Sequence, residues 1–235
     1  MSVSKIPLLL AAWASYVIAY TSPNPPAPAK AQTSYQTQSL SIGARFVQKY
    51  TSKATVAQRM FVSSVMLLEI AFAADIPSLR RTLPNAAAST KQLSFVSPLF
   101  LLGVACAVCG ALVRLWSYRA MGAQFTFQLS LLKDHKLITT GPYAYVRHPS
   151  YTALIMTVVG IFLCELSSGS WYMEARAFDS PLGKVIALLA GCCVAILVSV
   201  VSRVAKEDQL LSENFGQEWK EWENRVPYRL VPGIL

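Results

Sequence analysis

The sequence predicts an all-α fold, a polytopic integral membrane protein of about five transmembrane helices, and three observations carry that prediction. Hydrophobic residues make up 54% of the 235-residue chain and charged residues 14%, too few charges to cover the surface of an ordinary soluble domain. Two segments, Gln92 to Val113 and Val185 to Ser202, run uncharged for 22 and 18 residues. That is close to the ~20 residues that a helix rising ~1.5 Å per residue needs to cross ~30 Å of hydrocarbon. Lys and Arg collect between the apolar runs, where the positive-inside rule reads them as orientation signals.

The first element is Ile6 to Tyr20. It reads as a span, and it also reads as a cleaved signal peptide, because Lys5 precedes the apolar run and the Pro-rich "TSPNPPAPAKA" follows it; both readings stand at this point. Retention of this element gives an odd number of spans and puts the chain ends on opposite sides of the membrane. Pro23 to Gln38 has no apolar period and reads as a loose linker. The second span, Ala54 to Ala74, carries Glu69. An intramembrane acid reads by default as functional, but pairing with a neighbouring helix explains Glu69 as well, so it stays outside the predicted site. Gln92 to Val113 is the third span, Pro149 to Cys164 a shorter fourth, and Val185 to Ser202 the fifth.

Charge orients this arrangement. Lys30, Arg45, Lys49 and Lys53 precede the second span, Arg119, Lys133, Lys136 and Arg147 lie between the third and fourth, and Arg203, Lys206, Lys220, Arg225 and Arg229 follow the fifth. All three groups fall on one side of a five-span chain with its N-terminus outside, which makes that side cytosolic. Arg80, Arg81 and Lys91 on the other side are a mild exception. The net charge of +9 therefore reflects topology, and no nucleic-acid partner is expected. Cys106, Cys109, Cys192 and Cys193 lie within spans and Cys164 closes the fourth, which is no disulfide framework. Cys106 and Cys109 spell CxxC, but no further ligand shares their segment, so no metal site is expected.

After the fifth span the chain is expected to continue as an amphipathic helix. Val204, Leu211, Phe215, Trp219 and Trp222 recur near helical spacing, Gly216 interrupts the run and Pro227 ends it. Trp219, Trp222 and Tyr228 fit an aromatic belt at headgroup depth.

Polar chemistry concentrates at "TTGPYAYVRHPSY". Gly141-Pro142 makes a turn, and Pro149 suits the first position of the fourth span because it restricts His148 to non-helical geometry. Free helix N–H groups then sit beside an imidazole, a guanidinium and phenols, a setting that favours an anionic group. Taken singly, Arg147, His148 and Tyr151 read as interfacial anchors. Arg203 and Glu207 stand four residues apart after the fifth span. They either pair with each other or face a substrate and a cofactor. Two spans separate the strips, so both lie on the same side.

The pattern "HKLITTGPYAYVRHPSY", a span, another span and "RVAKEDQLLSENFGQEWKEWENRVP" resembles the isoprenylcysteine carboxyl methyltransferase family of integral membrane enzymes, from roughly Ala123 to the C-terminus. The resemblance implies S-adenosylmethionine as cofactor and the C-terminal carboxylate of a prenylated cysteine as methyl acceptor. It also implies a cofactor site on the cytosolic face of an endoplasmic reticulum membrane. The implied cofactor ligands are Gln128, His135, Lys136, Leu137, Ile138, Tyr143, His148, Pro149, Ser150, Tyr151 and Glu207. Arg203 is the implied catalytic residue, meeting the substrate carboxylate. Where the family shows consecutive glutamates, this chain has Lys206, Glu207 and Asp208.

On this reading residues 1–95 form N-terminal membrane helices with the Pro-rich linker, and residues 96–235 form the membrane methyltransferase core with its cytosolic C-terminal helix. A carboxylate with a pKa near ~3.5 is already ionised at neutral pH, so methyl transfer to it needs no general base. The glycine-rich turn of nucleotide-binding α/β domains does not occur in the chain. A related methyltransferase acting on a phospholipid amine or small thiol, a non-catalytic membrane scaffold and, more remotely, a membrane oxidoreductase of similar topology are the competing readings.

Overall fold

The computed structural model describes residues 5–25, 42–76, 90–127 and 135–233. Among these the fold is helical throughout. The main helices are α1 (Lys5–Ala19), α2 (Ile42–Ala73), α3 (Pro98–Met121), α4 (Pro149–Glu165), α5 (Pro181–Val201) and α6 (Val204–Arg225), with single-turn helices at Thr90–Leu93 and Trp171–Glu174. Within α2, α3 and the α5–α6 stretch lie segments long and apolar enough to cross a membrane, and α1 and α4 are shorter apolar helices. The expected Pro-rich linker lies largely outside the described residues.

Helix starts follow their sequences. Ser97 and Ser180 accept hydrogen bonds from the N–H groups of Phe100 (3.1 Å) and Gly183 (3.0 Å), with Pro98 and Pro181 following each cap, the arrangement that satisfies a first-turn donor where proline has none to lose. Pro149 opens α4 as expected, after His148 at φ −126° and ψ 58°.

The core is α3 against α4, with α1 laid over both. Gly103 and Gly110 of α3 face Gly160 and Thr157 of α4 so closely that a Cβ on Gly160 would stand 2.5 Å from the Ala107 nitrogen. Small residues let two membrane helices approach this way, where lipid gives no hydrophobic drive to associate. Helix α1 buries Leu9, Ala12, Tyr16 and Ala19. Helix α5 stands apart, with Val185, Leu188 and Val198 open to the surroundings.

A buried ion pair ties the end of the bundle away from His148. Lys5 Nζ donates to Glu69 Oε1 at 2.8 Å and to the carbonyls of Gly169 (2.6 Å) and Leu93 (3.2 Å), while Glu69 Oε2 accepts from the Trp171 N–H at 2.7 Å. Glu69 is thus a pairing residue of the bundle, and Lys5 lies inside it.

Helix α3 and the start of the tail differ from expectation, whereas the kink and end of the tail helix follow it. Helix α3 starts at Pro98 and continues past Val113 to Met121, because Arg114, the first charge after the apolar run, finds buried partners. The tail is no direct continuation of the fifth span: a turn at Ser202 and Arg203 separates α5 from α6, and Arg203 is the N-cap residue. Gly216, at φ 51° and ψ −112°, kinks α6, which ends at Arg225 just before Pro227. Trp219 and Trp222 do not form a headgroup belt. Both are buried with Tyr143 and Val226, and Trp222 Nε1 donates to the Tyr143 carbonyl at 3.1 Å. The tail folds over the polar strip because that strip offers an indole-sized apolar bed and a free carbonyl.

Candidate active site

One cavity of about 1400 Å³, counting its open mouth, lies where the ends of α1, α3 and α5 meet the start of α4 and of α6. It has an apolar side, with Leu154, Ile196, Leu197 and Val200, and a polar side built from the two strips.

His135, Lys136, Leu137 and Ile138 line one wall. Gln124 braces that wall: its Oε1 accepts from the Lys136 N–H at 2.6 Å. The His135 Nδ1 atom is buried with no protein partner. Burial lowers the His135 pKa from its ordinary value, against an opposing pull from the Glu207 charge, so the ring is neutral at physiological pH. Tyr143 lines the cavity next, its phenol pushed up by burial and by the Glu207 charge.

His148, Ser150 and Tyr151 enter from the first turn of α4, and Arg203 and Glu207 from the start of α6. Tyr151 donates its hydroxyl to Glu207 Oε2 at 2.8 Å. Arg203 Nη1 donates to the Phe127 carbonyl at 3.4 Å. Arg203 and Glu207 therefore take different partners rather than each other, and both line the cavity.

Pro149 is the one predicted ligand among the described residues that the cavity does not reach. It is fully buried at the head of α4 and sets where that helix begins. Gln128 lies outside the described residues. Ser150 points partly elsewhere: its carbonyl accepts from Arg114 Nη1 at 2.6 Å, and its hydroxyl meets the same nitrogen.

Several residues of the site were not among those singled out. Arg114, 6% exposed, lies within reach of the Tyr118, Phe125 and Phe127 rings, 5.2 to 5.4 Å from their centroids, and bonds the Tyr118 hydroxyl at 2.9 Å. Its signal was available, since an arginine at the end of a long uncharged run is expensive in a membrane unless it has a role. Asp208 stands where the resembled family shows consecutive glutamates, but nothing in that position announces its partners. It is buried and gathers three basic side chains: His148 Nε2 at 2.7 Å from Oδ1, with Arg229 Nε at 3.0 Å and Arg147 Nη2 at 3.4 Å from Oδ2. Burial alone would raise the Asp208 pKa, but the hydrogen bond from His148 and the charges of Arg147 and Arg229 outweigh it and hold the carboxyl below its ordinary value. Arg147 also pairs with Glu223.

The chain's last described stretch fastens the cluster. The N–H groups of Arg147 and His148 donate to the carbonyls of Tyr228 (2.9 Å) and Arg229 (2.8 Å), and Thr152 Oγ1 donates to the Leu230 carbonyl at 2.6 Å. Residues some 80 positions apart thus share one rigid patch.

A protein-S-isoprenylcysteine O-methyltransferase B of Arabidopsis thaliana is 27% identical over 53% of this chain and 55% of its own length. A protein-S-isoprenylcysteine O-methyltransferase of Schizosaccharomyces pombe is 32% identical over 40% of this chain and 33% of its own. A probable 7-dehydrocholesterol reductase of Acanthamoeba polyphaga mimivirus is 29% identical over 44% of this chain and 20% of its own. The chain spans about half the length of the plant methyltransferase and a fifth of the viral reductase. Residues 102–173 match the isoprenylcysteine carboxyl methyltransferase family, a stretch holding the first polar strip and α3 with α4 but ending before Arg203 and Glu207. From Leu102 to Met173, the part that builds the α3–α4 core and much of the cavity, this chain is similar to the isoprenylcysteine carboxyl methyltransferase family.

Proposed function

We propose that the protein is an S-adenosylmethionine-dependent methyltransferase that esterifies the C-terminal carboxylate of prenylated cysteine, working at the cytosolic face of the endoplasmic reticulum membrane. The observation that carries the reading is the meeting of the two polar strips, with Arg203 and Glu207 lining one cavity together with His135, Tyr143, His148 and Tyr151.

The residues suit the cofactor. Glu207 supplies negative charge for a cationic ligand, and the orphaned His135 Nδ1 supplies a hydrogen-bonding atom for its polar periphery. When bound, S-adenosylmethionine supplies an electrophilic methyl group on a sulfonium. Arg203 pairs with the acceptor carboxylate and aims one oxygen, and its N-cap position at a turn fixes its reach. Alignment of this kind accounts for a large part of a displacement barrier. Leu154, Leu197 and Val200 exclude water from the nucleophile and offer the prenyl chain an apolar wall. No side chain has to take a proton, because the acceptor is already an anion.

The test is methyl transfer from labelled S-adenosylmethionine to N-acetyl-farnesylcysteine, compared with phosphatidylethanolamine, in membranes holding the full chain. Transfer to the prenylcysteine alone is expected, and transfer only to the amine would assign the cavity to a phospholipid methyltransferase. The likeness to a probable 7-dehydrocholesterol reductase favours a second reading, a membrane reductase. Nicotinamide nucleotide binding without S-adenosylmethionine binding would establish that instead.

A further inference from the structure

We propose that Asp208 is a positioning residue: it fixes His148 as the Nε2–H tautomer, so that the bare Nδ1 atom and the Glu207 carboxylate together seat a primary ammonium group. The choice of S-adenosylmethionine's amino group as the occupant rests on the methyltransferase reading, and the tautomer does not.

An ionised carboxylate can only accept hydrogen bonds. Asp208 Oδ1 lies 2.7 Å from His148 Nε2, so that nitrogen carries the proton. The other oxygen, Oδ2, is held by Arg229 and Arg147, which keeps the carboxylate ionised and its orientation fixed. The imidazole cannot swing away: it is 4% exposed, its backbone N–H is tied to the Arg229 carbonyl, and its edge meets the Tyr151 ring at 5.8 Å between centroids. A neutral imidazole protonated on Nε2 has a lone pair at Nδ1.

The surroundings of Nδ1 agree with a bare nitrogen. Glu207 Oε2 lies 3.9 Å away, beyond hydrogen-bond distance, and accepts instead from the Tyr151 hydroxyl at 2.8 Å. A proton on Nδ1 would draw that carboxylate in. Two acceptors 3.9 Å apart on one cavity wall leave a gap that a group with several N–H donors and a positive charge can bridge. A primary ammonium has three donors and the right sign, whereas a phosphate or carboxylate would meet two acceptors and be repelled.

The tautomer can be read directly, because the chain has two histidines and His135→Gln assigns their signals. In full-length protein labelled with ¹⁵N-histidine, in detergent at neutral pH and without ligand, His148 is expected as Nε2–H with a deshielded, unprotonated Nδ1. A doubly protonated ring or the Nδ1–H form overturns the proposal whatever becomes of the methyltransferase reading. The seat is tested by calorimetry with S-adenosylhomocysteine and its deaminated analogue. The native protein is expected to prefer the amine-bearing ligand by about tenfold or more, the size of a charge-assisted hydrogen bond. Asp208→Asn, whose amide can donate as well as accept, should let the tautomers mix and bring that preference near unity. Asp208→Glu, which restores a carboxylate, should recover it. A preference retained in Asp208→Asn, or an equal loss for both ligands, overturns the seat. If neither ligand binds the native protein, the seat and the methyltransferase reading fall together while the measured tautomer still decides the role of Asp208.

Discussion

Arg203 and Glu207 sit one helical turn apart, with the Glu207 N–H donating to the Arg203 carbonyl at 2.9 Å, yet their side chains serve different ligands in the proposed reaction. Arg203→Ala is expected to cut turnover by a hundredfold or more, about 3 kcal/mol of lost transition-state positioning, while leaving S-adenosylmethionine affinity nearly unchanged. Glu207→Ala is expected to weaken that affinity about tenfold to a hundredfold, the range for a hydrogen bond to a charged group. Turnover assays and calorimetry on the same preparations check both, and near-normal turnover in Arg203→Ala would remove its assigned role. Asp208 gives a second prediction at this scale. Its folded pKa is depressed by His148, Arg147 and Arg229, whereas in the unfolded chain it titrates near its ordinary value of about 3.9. The unfolded state therefore binds the proton first as pH falls. The stabilisation is fully present above the unfolded value and disappears as pH drops through the folded one. Thermal melts below about pH 4 should fall steeply in the native protein and more shallowly in Asp208→Asn, and parallel curves would show that the cluster contributes nothing.

The helix pair that holds the cluster is built on close approach, and that is where element-scale change does most damage. A Cβ added at Gly160 would stand 2.5 Å from the Ala107 nitrogen and 2.6 Å from the Gly103 carbonyl oxygen. Both are backbone atoms of α3 and cannot swing aside. Gly160→Ala is expected to push α3 from α4 and to destabilise the protein by about 1–3 kcal/mol, the usual cost of overfilling a tight core. Gly191→Ala, in α5 with open space around it, should be nearly neutral, and a detergent melting comparison of the two separates packing from a general glycine effect. Much of this level was legible in the sequence. Apolar runs gave the apolar helices, Pro149 gave the start of α4, and Gly216 with Pro227 gave the kink and end of α6, because each rests on local chemistry. The length of α3 and the burial of Trp219 and Trp222 were not legible. Arg114 extends its helix by bonding Ser150 and Ala19, and the indoles find their bed on Tyr143, all partners distant in sequence. For the same reason the cavity residues on the two strips could be named from their motif, while the part Asp208 plays became visible only through the side chains it gathers.

At the scale of the whole molecule, the buried ion pairs among the described residues gather at the two ends of the bundle, and the end opposite the cavity accounts for Lys5 of α1 and Glu69 of α2. Lys5 and Glu69 are 64 positions apart, and nothing in either segment alone announces the other. Their side chains are 1% and 4% exposed, and the pair also collects the carbonyls of Leu93 and Gly169 and the Trp171 N–H. One contact set thus joins α1, α2 and the loops on either side of the α3–α4 pair. Removing one partner strands the other charge in a low-dielectric interior, at a cost of about 3–5 kcal/mol, whereas removing both and filling the volume is far less damaging. Lys5→Met and Glu69→Gln should each lower the melting temperature in detergent sharply. The double variant should recover a large part of the loss, with a coupling energy well above the few tenths of a kcal/mol that independent sites show. If the two losses simply add, the pair is no unit and α1 is held by its apolar face alone. The cavity adds a functional readout, because Ala19 and Tyr20, at the far end of α1, line it. Loosening Lys5 should therefore weaken S-adenosylmethionine binding from the opposite end of the bundle, and the double variant should restore binding along with stability.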